Sequence, residues 1–104
     1  MEFSWIVREV ADLYEVHPEE ILGRSRVHPI AEARQVAMII VMRRLGNQSA
    51  AGRRFNRDHG TVHHAVKTID GLVRAKNKKV VSRWQKVRHL AIPQNYNNVI
   101  DYQI

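Results

Sequence analysis

The chain has 104 residues, of which 44% are hydrophobic and 26% charged, as expected for one folded domain with a modest core. It contains no cysteine, so disulfides, thiolate metal sites and cysteine nucleophiles are excluded. No apolar run approaches the ~20 residues needed to span a bilayer, and the N-terminus lacks the basic start and apolar stretch of a signal peptide. We therefore expect a cytoplasmic protein with no membrane partner.

Positive charge is concentrated in the middle of the chain. Residues 1–22 carry one basic and six acidic side chains, a balance of −5, whereas residues 23–90 carry sixteen basic and three acidic ones, a balance of +13. This asymmetry indicates that a polyanion binds to one part of the molecule. A solvated basic surface would have the same composition, so the arrangement of the charges must decide between the two.

The spacing of apolar residues predicts helices along most of the chain. Gly23 and Pro29 bound a basic loop, Gly46 ends the long central helix, and Asn47 and Asp58 are candidate N-caps. The predicted helices cover residues 3–16, 18–22, 30–45, 48–55, 58–74 and 79–91. We expect residues 1–92 to form one domain and residues 93–104 to form an extended or partly disordered tail.

The fourth and fifth predicted helices form a helix-turn-helix candidate. A short helix ends at Phe55, Asn56 and Arg57 make a tight connection, and a longer helix follows. Ala51 and Gly52 are small where the two helices must approach closely. The predicted fold is therefore all-α, a small helical bundle that contains a helix-turn-helix.

Residues 57–66, RDHGTVHHAV, place small, polar and charged side chains at a helix start that could enter the major groove of DNA. Asp58 can cap the helix or accept a hydrogen bond from cytosine, with capping favoured. His59 can donate to a base or a phosphate, and the hydroxyl and methyl groups of Thr61 can contact bases. Gly60 permits close approach of the backbone.

Other predicted contacts involve the basic loop and the long helix. Arg24 and Arg26 lie beside His28, and an arginine on such a loop can enter an A/T-rich minor groove; the alternative is a solvated loop. Arg34 and Gln35 could hold phosphate near the start of the long helix, or form a surface pair.

Cationic side chains also surround the helix-turn-helix. Among Arg53, Arg54, Arg57 and Lys67, we predict phosphate contacts for Arg57 and Lys67 and expect some of the others to be solvated. His64 lies at the DNA-facing edge of the helix or packs against the preceding helix.

Catalytic and cofactor chemistry finds little support in the sequence. His59 and His63 have a spacing used for metal, but the His-Glu-x-x-His motif is absent and no third ligand is evident, so no metal site is predicted. No nucleophile lies beside an evident base, so we expect no enzyme. The Gly-x-x-x-x-Gly-Lys-Ser/Thr phosphate loop is missing, so we expect no nucleotide or other cofactor. Trp5 and Trp84 are expected in the core or covering it.

The chain resembles the C-terminal DNA-binding domain of the bacterial replication initiator DnaA over about residues 6–90. Three blocks carry the resemblance: the opening helix and its partner, the basic loop with the long helix, and the signature at the recognition helix. In this sequence they are residues 10–16 with 21–22, residues 24–26 with 33–38, and residues 55–65.

The resemblance implies a TrpR-like/DnaA C-terminal-like helical fold and a set of DNA contacts. By this resemblance, Arg26 would enter the minor groove with Arg24 beside it. The residues near the DNA backbone would be Arg34 and Gln35, and those facing the major groove would be Asp58, His59 and Thr61.

The sequence departs from the pattern of that family at three places. Gly60 stands where the family usually has a threonine, and Asn56 fills a turn that usually has two glycines. Glu32 and Ala33 replace a segment often written with proline and basic residues. These departures bear on the usual nine-base-pair target of the family.

Three hypotheses follow for the function. The first is sequence-selective binding of double-stranded DNA, with the helix-turn-helix in the major groove and the basic loop in the minor groove, for replication or transcription regulation in a bacterium, phage or mobile element. The second is a protein-interaction module that docks a replication protein through the acidic first helix or the tail. The third is binding of structured RNA.

Overall fold

The computed structural model describes residues 2–92, and the predicted tail lies outside the described residues. This part of the chain is all-α, as the sequence predicts. Its longest helices have 16 residues, and none of its helices combines the length and apolarity that a membrane span requires. In chain order the helices are α1 Ser4–Tyr14, α2 Pro18–Leu22, α3 Ile30–Leu45, α4 Gln48–Arg54, α5 His59–Arg74 and α6 Lys78–Val87, followed by a 3₁₀ turn at Arg88–Ala91.

Capping side chains set the helix starts. The side chains of Asn47, Asp58 and Asn77 each accept a hydrogen bond from the backbone amide three residues later, at 2.9, 3.0 and 3.1 Å. The first two caps confirm the sequence prediction. The predicted end of α3 is also confirmed, since Gly46 adopts the left-handed conformation (φ 67°) that favours glycine. At the chain end, the predicted helix over residues 79–91 begins one residue earlier and changes to a 3₁₀ turn after Val87.

Helix α3 forms the centre of the core, and α1, α2, α4 and α5 all pack against it. Its predicted apolar positions are fully buried, and Ile39 is buried with them. Burying one of the valine or isoleucine side chains stabilises the fold by about 1.5–3 kcal/mol. The predicted positions that the structure buries are Ala33, Val36, Ala37, Ile40 and Val41.

The two tryptophans have different environments. Trp84 is 4% exposed and belongs to the core, as expected. Trp5 is 37% exposed, and the guanidinium carbon of Arg44 lies 4.7 Å from the centre of its ring. Arg44 also donates to the carbonyl oxygens of Leu90 and Ile92, at 2.5 and 3.2 Å. Trp5 is therefore a surface ring, and Arg44 ties it to the end of the described chain.

The turn between α4 and α5 depends on the absence of a side chain at Gly52. The Gly52 carbonyl accepts hydrogen bonds from the amides of Phe55 and Arg57, at 3.0 and 2.8 Å. A Cβ atom on Gly52 would lie 2.6 Å from the carbonyl oxygen of Arg57 and 3.0 Å from that of Asp58. Asn56 completes the turn at φ 55°, a conformation that Asn tolerates better than most residues. The predicted close approach at Gly52 is confirmed.

Substituting Gly52 with alanine is expected to destabilise the domain by about 1–3 kcal/mol, because the new methyl group overlaps backbone atoms that cannot move without opening the turn. Gly71→Ala in α5 is the matched control, since a Cβ there meets nothing within 4 Å. That variant should gain about 0.4–1 kcal/mol from helix propensity. Urea denaturation monitored by circular dichroism measures both changes, and equal stability of the two variants would contradict the role of Gly52.

Candidate nucleic-acid interface

A cleft of about 640 Å³ opens between the basic loop, α3 and the first two turns of α5. The basic loop, defined here as residues 23–29, provides one wall and α5 the other. Helix α3 forms the floor between them. The residues that line the cleft are Arg24, Arg26, Ala31, Arg34, Gln35, Met38, Arg57, Thr61, His64 and Ala65.

Arg34 attaches the basic loop to α3. Its guanidinium donates three hydrogen bonds to backbone carbonyls, to Ile21 at 2.6 Å, Glu20 at 2.9 Å and Ser25 at 2.7 Å. The first two carbonyls belong to α2 and the third to the loop. The last carbonyls of a helix have no partner within it and carry the negative end of its dipole, so a guanidinium stabilises them. Arg34 thus fixes where the loop leaves α2.

Arg57 attaches the same loop to the helix-turn-helix. Its guanidinium donates to the carbonyl of Gly23 at 2.6 Å and to that of Phe55 in the α4–α5 turn at 3.2 Å. Together with the Arg34 contact to Ser25, this bond holds the backbone on both sides of Arg24. The position of the basic loop relative to α5 is therefore fixed by two arginines, which we call the arginine pair.

The cleft is electropositive. Burial, and after it the positive charge of Arg57, lower the pKa of Arg34 from its ordinary value. The guanidinium groups of Arg24 and Arg26 are exposed on the same cleft. An anion placed among these four groups would relieve their mutual repulsion, so the arrangement suits phosphate.

The cleft brings together seven of the twelve predicted site residues, among them Arg26 from the loop and Thr61 from α5. All seven are Arg24, Arg26, Arg34, Gln35, Arg57, Thr61 and His64. The other five lie outside its lining, all of them exposed: His28, Asp58, His59, Gly60 and Lys67.

Three exposed residues of α5 share one face of the helix. Gly60, His64 and Lys67 follow one another along one strip of the surface, at spacings of four and three residues. Asp58 is the N-cap of the helix, and its Oδ1 atom accepts from both the amide and the hydroxyl of Thr61. These two hydrogen bonds lower the pKa of the Asp58 carboxyl. The favoured capping role is therefore confirmed.

Arg34 and Arg57 make contacts that the sequence did not predict. A phosphate contact was predicted for Arg57, and for Arg34 either a phosphate contact or a surface pair; in the structure both donate to backbone carbonyls of the α2–loop segment. The alternative of a surface pair for Arg34 and Gln35 is wrong, since Arg34 is only 8% exposed. The physical reason is that α2 ends beside α3 and its carbonyls require donors.

The sequence analysis missed a buried carboxylate. Glu32 is 7% exposed and accepts hydrogen bonds from the Tyr14 hydroxyl and, at 3.2 Å, from Arg83 of α6. Its other oxygen lies 3.1 Å from Nε2 of His28. Burial would raise the pKa of Glu32, but the hydrogen bonds from Tyr14, His28 and Arg83 outweigh burial and lower it. Glu32 is the only acidic residue between Glu20 and Asp58, and this isolation was the available signal.

A helix-turn-helix with an electropositive cleft is typical of a DNA-binding domain. Residues 4–69 match the family model described as the bacterial dnaA protein helix-turn-helix. The match covers more than half of the chain, and the chain belongs to this family. The expected resemblance is thereby confirmed, and with it the helix-turn-helix fold class of DNA-binding domains.

Several curated relatives carry the name chromosomal replication initiator protein DnaA. The protein of that name from Xanthobacter autotrophicus is 37% identical over 89 residues, which are 84% of this chain and 17% of the relative. The one from Desulfatibacillum aliphaticivorans is 44% identical over 71 residues, 66% of this chain and 15% of the relative. A third, DnaA 1 of Chlamydia muridarum, is 42% identical over 67 residues, or 64% and 15%. The chain thus spans about a sixth of the length of these relatives.

Replacing Glu32 with glutamine is expected to destabilise the domain by about 3 kcal/mol at neutral pH, because Arg83 loses its buried counter-charge. Since the folded pKa of Glu32 lies below its unfolded value of about 4.3, the stabilisation is complete above that value and is lost as the pH falls through the folded pKa. Urea denaturation from pH 7 to pH 3 measures this. The wild type should lose more stability than Glu32→Gln over that range, and parallel pH profiles would contradict the assignment.

Arg34→Ala and Gln35→Ala compare the stability effect of a buried, hydrogen-bonded side chain of α3 with that of its partly exposed neighbour. The first variant removes the Arg34 donor from three carbonyls, of which only that of Glu20 keeps another, the Gly23 amide at 3.2 Å, and it should lose about 2–4 kcal/mol of stability. The second removes a partly exposed side chain and should change stability by about 0.5 kcal/mol or less. Thermal and urea denaturation give both values. An Arg34→Ala protein as stable as the Gln35→Ala protein would show that the carbonyls do not depend on Arg34.

Proposed function

We propose that this domain binds double-stranded DNA with sequence selectivity, and that it does so through two adjacent grooves. The N-terminal turns of α5 enter the major groove, and the basic loop reaches the neighbouring minor groove. The phosphates between the two grooves then lie against the cleft. Membership of the helix-turn-helix family indicates DNA binding, and to this we add which part of the domain contacts which groove.

The observation that carries the proposal is the shared cleft. Arg24 and Arg26 lie on one wall, Thr61 and His64 lie on the other, and α3 separates them. Positive and polar walls of this kind suit the phosphate backbone that separates a major from a minor groove. Because the arginine pair holds the loop backbone, little backbone entropy is lost when Arg26 enters a groove.

Each side chain has a chemical role in this geometry. Arg26 and Arg24 place guanidinium groups in the negative potential of a narrow minor groove. His59 and Thr61 present a donor, a hydroxyl and a methyl group to base edges at the tip of α5. Gly60 lets the helix backbone approach the DNA, and a Cβ there would meet only the Asp58 carboxylate, at 3.3 Å.

Further contacts position the domain on the duplex. His64 and Lys67 continue along α5 from the tip and contact the phosphate strand, and Gln35 contributes from the floor of the cleft. His28 approaches the backbone beside Arg26. Asp58 acts mainly through its cap, which sets the direction in which the first turn of α5 points.

The names of the relatives support a biological setting. They are named as chromosomal replication initiators, and the matched part is about a sixth of their length. We place this domain in the initiation of DNA replication or in its regulation, where it supplies recognition of the DNA site. Within residues 1–104, the nucleotide-binding phosphate loop is absent from the sequence.

Selection from a random duplex library tests the proposal directly. We expect enrichment of an A/T-containing motif of about one helical turn. Arg26→Ala and His59→Ala should each weaken binding to that motif, by about tenfold or more for a lost specific contact. Arg8→Ala, which removes an exposed arginine from α1, is the control and should bind normally. With about five phosphates neutralised, log affinity should fall against log salt with a slope of about −4 to −5.

Other outcomes would redirect the assignment. A flat salt response or the absence of any enriched motif would reject selective groove binding. Full DNA affinity of both alanine variants would favour the alternative, docking of a replication protein through α1 or the tail. Competition between duplex DNA and duplex RNA of equal length separates the DNA proposal from RNA binding.

A further inference from the structure

We propose that the DNA-contacting surface continues from the basic loop onto α6, which contacts the phosphates of flanking DNA on the same duplex. The inference rests on the proposed function, because it takes the basic loop to face DNA. The surface concerned, which we call the α6 basic face, consists of Lys78, Lys79, Ser82, Arg83 and Lys86. None of these residues was singled out by the sequence analysis.

The α6 basic face is exposed and positively charged. Together with Leu13 of α1, its residues line a shallow depression between the two helices. Lys78, Lys79 and Lys86 are exposed, and among residues 2–92 no ion pair to any of them is found. The spacing places Lys78 four residues before Ser82 and eight before Lys86, so these side chains form one row along the helix.

A shared carboxylate makes this face continuous with the basic loop. One oxygen of Glu32 is 3.2 Å from the Arg83 guanidinium, and the other is 3.1 Å from the imidazole of His28. Arg83 belongs to α6 and His28 to the loop, so the two surfaces meet at Glu32. Arg83 is also held over the ring of Tyr14, with 4.8 Å from its guanidinium carbon to the ring centre. Arg83, on the same helix as the lysines, therefore shares a carboxylate with His28, which is two residues from Arg26.

The chemistry of the face favours a phosphate backbone over a protein partner. Protein interfaces are depleted in lysine and are built around aromatic and other apolar side chains. Here the lining has three lysines and a single apolar residue, Leu13. Lysine is a flexible point charge that suits phosphates regardless of base sequence. In addition, Lys78 and Lys79 occupy the first turn of α6, where the helix dipole disfavours cations, so helix stability does not account for them.

The experiment measures how affinity depends on the flanking DNA. The short probe is the most enriched sequence of the library selection, with no flanks. Two longer probes add about ten base pairs, one helical turn, on one side or the other. The wild type should bind one of the longer probes about tenfold more tightly than the short one. The triple variant Lys78→Gln/Lys79→Gln/Lys86→Gln should lose this gain and bind the short probe normally. On the favoured long probe, its salt slope should be shallower by about 2–3.

Single substitutions provide the matched control. Lys79→Gln on α6 and Arg8→Gln on α1 each remove one exposed positive charge, and only the first should weaken binding to the favoured long probe. Circular dichroism checks that the variants are folded.

Three results with DNA would overturn the inference: equal affinity of the wild type for all three probes, no effect of the triple variant, or an equal loss of affinity on the short probe. Polyglutamate serves as an acidic polypeptide competitor, and tighter binding of polyglutamate than of the long probe would also overturn the inference. These results are distinct from a failure of the proposed function, which would appear as undiminished binding of the short probe by Arg26→Ala. Absence of any duplex binding would reject both.

Discussion

The position of the basic loop relative to α5 is the constraint on which the proposed DNA interface depends. A loop of this size, rich in arginine, would otherwise move independently of α5, and the two proposed groove contacts could not be made in register. Arg34 and Arg57 prevent this by donating to the carbonyls of Ile21, Gly23 and Ser25. Both donors come from parts of the molecule that the core or the helix-turn-helix already fixes. Because α3 and the α4–α5 turn are rigid, the arginine pair gives the loop a defined position.

Glu32 has the corresponding role on the opposite side of the loop. It is an isolated acid near the start of α3, and its carboxylate is satisfied by donors from α1, the loop and α6. Burying a lone carboxylate is costly, and here several hydrogen bonds and the charge of Arg83 compensate for it. Because the three donors come from different segments, the group also sets their relative placement. The loop is consequently attached at both of its ends, to arginines at one and to Glu32 through His28 at the other.

Local signals in the sequence were sufficient for the helices and their caps. Asn47, Asp58 and Gly46 act through their own backbone neighbourhoods, so their roles were predictable without knowledge of the fold. The apolar stripe of α3 likewise identified the core. The contacts of Arg34 could not be predicted, because they depend on where α2 ends in space. The same holds for Glu32, whose donors lie up to 51 residues away, and for Trp5, whose partner Arg44 belongs to another helix.

The arginine pair binds main-chain oxygens, and this has a consequence for how the domain could diverge. A carbonyl group is present whatever side chain a residue carries, so the anchoring does not depend on the identity of the loop residues between the anchors. Arg24, between the anchored carbonyls of Gly23 and Ser25, and the exposed Arg26 and Val27 that follow them can thus be exchanged without losing the bonds from the arginine pair. Under the proposed function, base preference in the minor groove would be a separately adjustable property, and new DNA target sequences would be accessible through a few exposed positions while the scaffold stays the same.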